Sequence, residues 1–292
     1  MSGEMVREII VTGGTGFIGS KICTKLAAEG YQVHAWGRRD AALDEALNNQ
    51  SISYRQIDIY DVSAVRTALQ KTGASEMIHL AWGGLPNYMS NHHMDTELVN
   101  QVQFIRTSVE NGIRRLTQTG TCFEYGSRDG ELDESMECHP TNPYGYAKHA
   151  LQRYVEFLNK EFNFSYRWLR LFYMYGEGQG QKSLYTLLRK AYERGDASFD
   201  ISAGHQIRDF MPIQEVIDHI VALHAADIPD GIYNVCSGKP VSVRQLVEGW
   251  IVDWDYQVHL NLGKHPIPSY ESLAFWGNNA KTKAALKGTG ND

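Results

Sequence analysis

Four glycines within seven residues, Gly13-Gly14-Thr15-Gly16-Phe17-Ile18-Gly19, constrain this chain more than any other stretch. They follow Glu8 to Thr12, which reads as a short buried strand, and lead into an apolar-periodic helix from about Phe17 to Glu29. Strand, glycine turn and helix in that order make a phosphate cradle. Glycine permits the tight turn and lets the backbone approach a pyrophosphate, whose charge is met by free amides and the positive end of the helix dipole. A turn that merely needs a positive φ explains one glycine more readily than four. Gly13, Gly16, Phe17, Ile18 and Gly19 are therefore candidate dinucleotide contacts.

The next strand, Tyr31 to Trp36, should end beside the adenosine ribose of such a ligand, where an acid would read as NAD. Gly37-Arg38-Arg39 stands there instead, and paired guanidinium groups can hold a 2′-phosphate and stack on adenine. The reading is NADP(H), with NAD(H) as the alternative. Asp40 lies past the arginines and reads equally as a helix cap.

Strand and helix keep alternating: Ile52 to Ile57, a helix near Val62 to Lys71, Met77 to Ala81, a helix near Glu97 to Asn111, and Arg115 to Thr119. This predicts an α/β fold with a Rossmann-type, doubly wound parallel sheet and ligands at the carboxyl ends of its strands. Asp58, Ala81-Trp82-Gly83 and Thr121 fall at such ends. The loop Trp82 to His93 suits either a substrate-facing loop or an ordinary surface excursion, and His92 and His93 within it are read as solvated. After a strand over Phe164 to Phe172 the alternation is lost, which predicts a smaller C-terminal lobe. The expected division is 1–171 and 207–236 for the dinucleotide domain, 172–206 and 237–292 for the substrate lobe, with a cleft between.

Composition closes off other classes. A net charge of −6 without a basic run argues against nucleic acid, so an anionic ligand must be met by a few placed arginines and backbone amides. No apolar run reaches membrane-spanning length, and neither secretion nor a membrane span is indicated. Cys23, Cys122, Cys138 and Cys236 are scattered, with no metal-ligand spacing, which predicts reduced thiols in a cytoplasm and no metal.

Asn142-Pro143-Tyr144-Gly145-Tyr146-Ala147-Lys148 opens a helix with a good N-cap and a proline suited to its first position. Tyr144 and Lys148, four residues apart, share a face along the border of its apolar stripe, while Tyr146 points elsewhere. A cation beside a phenol favours the phenolate, so Tyr144 is a candidate proton donor and acceptor near neutral pH.

With Thr12 to Gly19, Thr121 to Gly126, Tyr144 to Lys148, Arg170 to Gly176 and Arg208 to Phe210 in this order, the chain resembles the extended short-chain dehydrogenase/reductases over residues 7 to about 250. Within that superfamily it looks most like enzymes acting on nucleotide-diphosphate sugars. The resemblance implies that Thr121 hydrogen-bonds the reacting sugar oxygen, that Tyr144 is the acid/base, and that Lys148 holds the nicotinamide ribose and lowers the Tyr144 pKa. It implies cofactor contacts at Asp58, Ile59, Leu80 and Ala81, and a diphosphate grip at Arg208. Trp82, Thr121, Phe123, Tyr173 and Arg208 are the expected substrate contacts. It also implies a homodimer through the helices around Glu97 to Asn111 and Tyr144 to Lys160.

The departures narrow the chemistry. Sugar-nucleotide 4,6-dehydratases of this family carry Asp and Glu after the Thr, where this chain has Cys122 and Phe123, so a dehydratase is disfavoured. Tyr173 replaces the family's usual Asn, and the tail Tyr270 to Asn278 lacks a diphosphate-binding arginine, with Lys264 as a weak substitute. A 4-epimerase returns the hydride that it removes and gains nothing from NADPH, whereas a ketoreductase consumes reductant. Arg38-Arg39 therefore points to NADPH-dependent reduction of an NDP-4-keto-6-deoxysugar, with an NAD-dependent 4-epimerase as the alternative. A non-catalytic NADP-sensing module would be expected to have lost the Tyr or Lys.

Overall fold

The structure, a computed structural model, describes residues 7–39, 47–266 and 272–287, so Asp40, Tyr270 and Glu271 lie outside the described residues. The first half runs β1 (Glu8–Thr12), α1 (Gly19–Ala28), β2 (Gln32–Gly37), β3 (Ile52–Gln56), α2 (Val62–Leu69), β4 (Glu76–His79), α3 (Val99–Glu110), β5 (Arg115–Thr121) and β6 (Gly130–Leu132). The second runs α4 (Pro143–Phe162), β7 (Ser165–Leu171), β8 (Tyr173–Tyr175), α5 (Leu184–Arg194), β9 (Ser198–Asp200), β10 (Ile207–Pro212), α6 (Ile213–Ala225) and β11 (Gly231–Val235). β12 (Pro240–Ser242), α7 (Val243–Asp253), β13 (His259–Asn261), β14 (Phe275–Gly277) and α8 (Ala280–Lys287) complete the described chain.

Seven parallel strands form the main sheet in the order β11-β7-β5-β4-β1-β2-β3. The order reverses between β1 and β4, which opens a crevice at their carboxyl ends. Strands buried on both faces read as near-continuous apolar runs, as Ile9-Ile10-Val11 does. On one face Ile22 and Leu26 of α1 pack with Ile217 and Ile220 of α6. On the other, Val65, Phe104, Leu151 and Val155 bring in α2, α3 and α4. β8, β10 and β12 make a separate three-stranded sheet, and Leu188, Val247, Trp250 and Tyr256 make a distinct cluster beside it.

Local signals set the helix ends that matter. Asn142 accepts a hydrogen bond from the Gly145 amide at 2.8 Å, Pro143 occupies the first position of α4, and left-handed Asn163 ends the helix. Gly19 must be glycine, because a Cβ there would lie 2.1 Å from the Gly13 carbonyl oxygen. Among the described residues no helix is long and apolar enough to cross a membrane, and no His, Cys, Asp and Glu cluster could hold a metal ion.

At the amino end of the sheet, burial raises the Glu76 pKa, but His224 at 3.0 Å and Arg7 at 3.1 Å outweigh it and hold the carboxyl at about 2. A depressed carboxylate contributes stability above its ordinary pKa and loses it as pH falls toards the folded value. Wild type should therefore exceed Glu76→Gln in urea midpoint at pH 7, with the gap narrowing as pH falls from about 4.5 towards 2. A gap that does not depend on pH would refute this.

Candidate active site

Three adjoining chambers follow the crevice. The first, of about 330 Å³, is lined by the glycine turn through Gly13 and Gly16, by Arg38 and Arg39 beyond β2, and by Ile59, Leu80 and Ala81. The first turn of α1 has no side-chain cap, leaving its amide end for an anion. Gly13 has φ +69°, and a Cβ on it would come within 3.2 Å of the Ala81 amide. These features fit a dinucleotide: a helix start without a side-chain cap for a pyrophosphate, exposed guanidinium groups at the far end and an apolar floor.

That floor is fixed by a buried polar chain. Thr12 Oγ1 bonds His79 Nδ1 at 2.5 Å and accepts from the amides of Leu80 and Ala81 at 3.2 and 3.3 Å. His79 Nε2 meets Gln101 Oε1 at 2.5 Å, and Gln101 donates back to the Ala81 carbonyl at 2.9 Å. Burial takes His79 down to about 3, so it remains neutral. Nothing in its sequence neighbourhood separated it from an ordinary histidine.

The second chamber, of about 270 Å³, contains Thr121, Tyr144 and Lys148, with Ile18, Trp82, Phe123 and Tyr173 in its wall. Thr121 ends β5 and caps a single 3₁₀ turn, Cys122–Tyr125, in a capping box with Glu124. α4 delivers Tyr144 and Lys148 together, as their spacing implied. They do not lie on a helix border, however: they are 8 % and 1 % exposed, covered by Trp82 and Tyr88 from the loop after β4. Tyr146 does point away, at 53 % exposed.

Burial also reverses the expected electrostatics. It drives the Tyr144 phenol upward, reinforced by Tyr88, Glu124 and Cys122 and opposed by a hydrogen bond with Thr121. Lys148 is pulled down to about 7 by burial, against the attraction of Glu124 and Glu97. Its ammonium donates to the Thr119 carbonyl at 2.8 Å and sits 4.0 Å from the centre of the Trp82 ring. The expectation that Lys148 lowers the phenol pKa is thus not met: Tyr144 is held protonated, because desolvation of its anion dominates.

The third chamber, of about 240 Å³, is walled by Tyr173, Tyr185, Gln206, Arg208, Phe210 and Trp250. Arg208 is 2 % exposed, its guanidinium 4.4 Å from the Phe275 ring centre and 5.8 Å from that of Tyr173, and it donates to the Ile207 and Leu273 carbonyls. Asp209 accepts from the amides of Ser237 and Gly238. Trp82 and Leu80 join the first chamber to the second, and Tyr173, Met174 and Gln179 join the second to the third.

Some expected contacts fall outside these walls. Phe17 packs on the core and Gly19 behind Gly13, while exposed Asp58 accepts from the Tyr60 amide and leaves the lining to Ile57, Ile59 and Tyr60. Lys264 is exposed and lines none of the three chambers. Of the two histidines read as solvated, His92 is exposed and reaches Glu97 at 3.3 Å, but His93 needs correction: it is wholly buried beside Tyr144. A wide π-helical turn, His93–Leu98, carries His93 and Glu97 inward, four residues apart on one side. Cys122 and Phe123 supply no carboxylate to the chamber. Glu124, next along, is locked to Arg170 at 2.9 Å and is 0 % exposed.

Fold and site together are those of an extended short-chain dehydrogenase/reductase, an α/β oxidoreductase built on a Rossmann-type sheet. Residues 9–236 match the NAD dependent epimerase/dehydratase family, and the chain belongs to it. The chain is 30 % identical over 275 residues, 92 % of its length and 99 % of the relative's, to the dTDP-6-deoxy-L-talose 4-dehydrogenase (NAD(+)) of Aggregatibacter actinomycetemcomitans. It is 24 % identical, over 82 % of its length and 79 % of the relative's, to the dTDP-4-dehydro-6-deoxyglucose reductase of Escherichia coli. In fold it is similar to the UDP-glucuronic acid 4-epimerase of Bacillus cereus in complex with UDP-glucuronic acid and NAD, with TM-score 0.80, 22 % identity, and coverage of 96 % of this chain and 93 % of that one.

Proposed function

We propose that this protein reduces the C4 ketone of a nucleotide-diphosphate 4-keto-6-deoxysugar with NADPH. The observation that carries this reading is the second chamber: Thr121, Tyr144 and Lys148 meet where the dinucleotide cleft opens, and Cys122 and Phe123 leave no carboxylate there for eliminating water. When bound, the reduced nicotinamide supplies a hydride to C4. Tyr144 Oη, held protonated by burial, gives its proton to the forming alkoxide, which is the direction that ketone reduction needs. Thr121 Oγ1 steadies the same oxygen, while Phe123, Tyr173 and Arg208 receive the sugar and its diphosphate. The reaction named for the Aggregatibacter relative is an oxidation at C4 of a 6-deoxysugar nucleotide, the same bond change run in reverse.

That relative's name specifies NAD(+), whereas the exposed Arg38 and Arg39 in the wall of the first chamber support NADP(H) here. Arg38→Ala is expected to weaken NADPH roughly tenfold or more, with NADH within about twofold. Equal losses for both, by titration, would remove the 2′-phosphate argument. An NAD-dependent 4-epimerase is the second reading, drawn from the same three side chains. A sensing module without catalysis does not accord with the presence of both Tyr144 and Lys148.

We assign 1–171 and 207–236 to dinucleotide binding and 172–206 and 237–292 to the sugar nucleotide, in a reducing cytoplasm that suits four cysteines without a disulfide. A homodimer through α3 and α4 suits the exposed apolar side chains of Val99, Tyr146 and Phe157, and a monomer in sedimentation at micromolar concentration would exclude it. The deciding experiment follows NADPH absorbance with a panel of NDP-4-keto-6-deoxyhexoses, with NADH as comparison. Stoichiometric oxidation with one sugar establishes the reductase. No oxidation, with NAD released only on denaturation, establishes the epimerase instead.

A further inference from the structure

His93 has none of the roles assigned above, yet its wholly buried ring lies 5.2 Å from that of Tyr144, centre to centre. Its two nitrogens face different kinds of partner. Trp82 Nε1–H, 3.1 Å from Nδ1, can only donate, and the Asn87 carbonyl, 2.9 Å from Nε2, can only accept. His93 is thereby fixed as the neutral Nε2–H tautomer, with Nδ1 a permanent acceptor for the indole. Gly84, at φ +79°, lets the loop close on this ring, since a Cβ there would stand 3.0 Å from His93 Cε1.

Trp82 is the wall shared by the dinucleotide cleft and the catalytic chamber, and the Lys148 ammonium rests on its face. On its other side that ammonium is tied to the Thr119 carbonyl. A rotation of the indole would therefore both reshape the passage and release one side of the lysine.

We propose that His93 is a positioning residue, which pins the plane of Trp82 and through it sets Lys148 and the passage between the two chambers. The proposal rests on the Thr121-Tyr144-Lys148 reading above. A histidine that merely filled core volume would be replaced by an isosteric ring without effect on cofactor affinity, whereas this one acts through a single acceptor atom.

The test is a double-mutant cycle read by NADPH affinity from fluorescence titration, together with turnover of any 4-keto sugar that the wild type accepts. His93→Phe should weaken NADPH about tenfold, the scale of one lost hydrogen bond. His93→Asn, whose Oδ1 can stand in for Nδ1, should recover most of that loss. In a Trp82→Phe background His93→Phe should cost little more, because the donor is already gone. If His93→Phe does not fold, His93→Leu takes its place, which likewise offers Trp82 no acceptor. Additive losses, or no recovery by His93→Asn in a protein that melts like wild type, would overturn the proposal. A wild type that binds NADPH but reduces no 4-keto sugar would instead sink the catalytic reading, while the affinity cycle still decides the role of His93.

Discussion

Replacing Tyr144 by phenylalanine is expected to lower turnover by about 10²–10⁴-fold, while leaving dinucleotide affinity within about twofold of wild type. The ring is held from several sides, by Trp82 at 5.9 Å, Tyr88 at 5.4 Å, His93 at 5.2 Å and Phe123 at 6.4 Å between centres. Phenylalanine keeps all four contacts, so the melting temperature should barely move. What disappears is the hydroxyl, with its proton and its hydrogen bond to Thr121. Steady-state kinetics, a dinucleotide titration and a thermal melt on the same preparation separate the three effects. Turnover close to wild type would show that the proton travels by another path, and the Thr-Tyr-Lys reading would fall.

The largest stability effect should come from Glu124→Ala, at about 3–5 kcal/mol. Glu124 pairs with Arg170 while the two side chains are 0 % and 2 % exposed, and its carboxylate also accepts from Trp168 Nε1 at 2.9 Å and from the Thr121 amide at 2.8 Å. Truncating it leaves a guanidinium, an indole N–H and a backbone amide to find new partners inside the protein. Against a typical total stability of about 5–15 kcal/mol, this could unfold much of the protein. Glu124→Gln keeps an acceptor but not the charge, so it should lose less in a urea titration than Glu124→Ala. Turnover of Glu124→Ala should fall as well, because the tie to the Thr121 amide helps to set the hydroxyl that faces Tyr144. Two variants within about 0.5 kcal/mol of wild type would mean that the ion pair contributes nothing net.

A large part of the fold was legible because it is written in short-range signals. The glycine turn, the capped start of α4 and the alternation of strand and helix each depend on a few neighbouring residues, whose backbone preferences and periodicity act locally. The same locality made Tyr144 and Lys148 readable as partners, since one helical turn brings them together. In the second half local signals thinned: β8, β10 and β12 are each six residues or fewer and pair across long separations, so periodicity says little about them.

The sequence by itself determined which residues line up: a strand, a phosphate turn and a helix, then a Tyr and a Lys on one helical face, with Arg38 and Arg39 after the second strand. The tertiary structure alone decided how those groups behave. Trp82 and Tyr88 arrive from a distant loop and bury Tyr144, which raises the phenol where the spacing alone implied a lower value. Glu124 becomes a buried ion-pair partner only because Arg170, on the neighbouring strand β7, lies beside it. His93 is drawn under the loop that it would otherwise seem to decorate. In each case the deciding quantity is desolvation, which depends on what packs around a side chain from far along the chain and leaves no mark on the residues beside it in sequence.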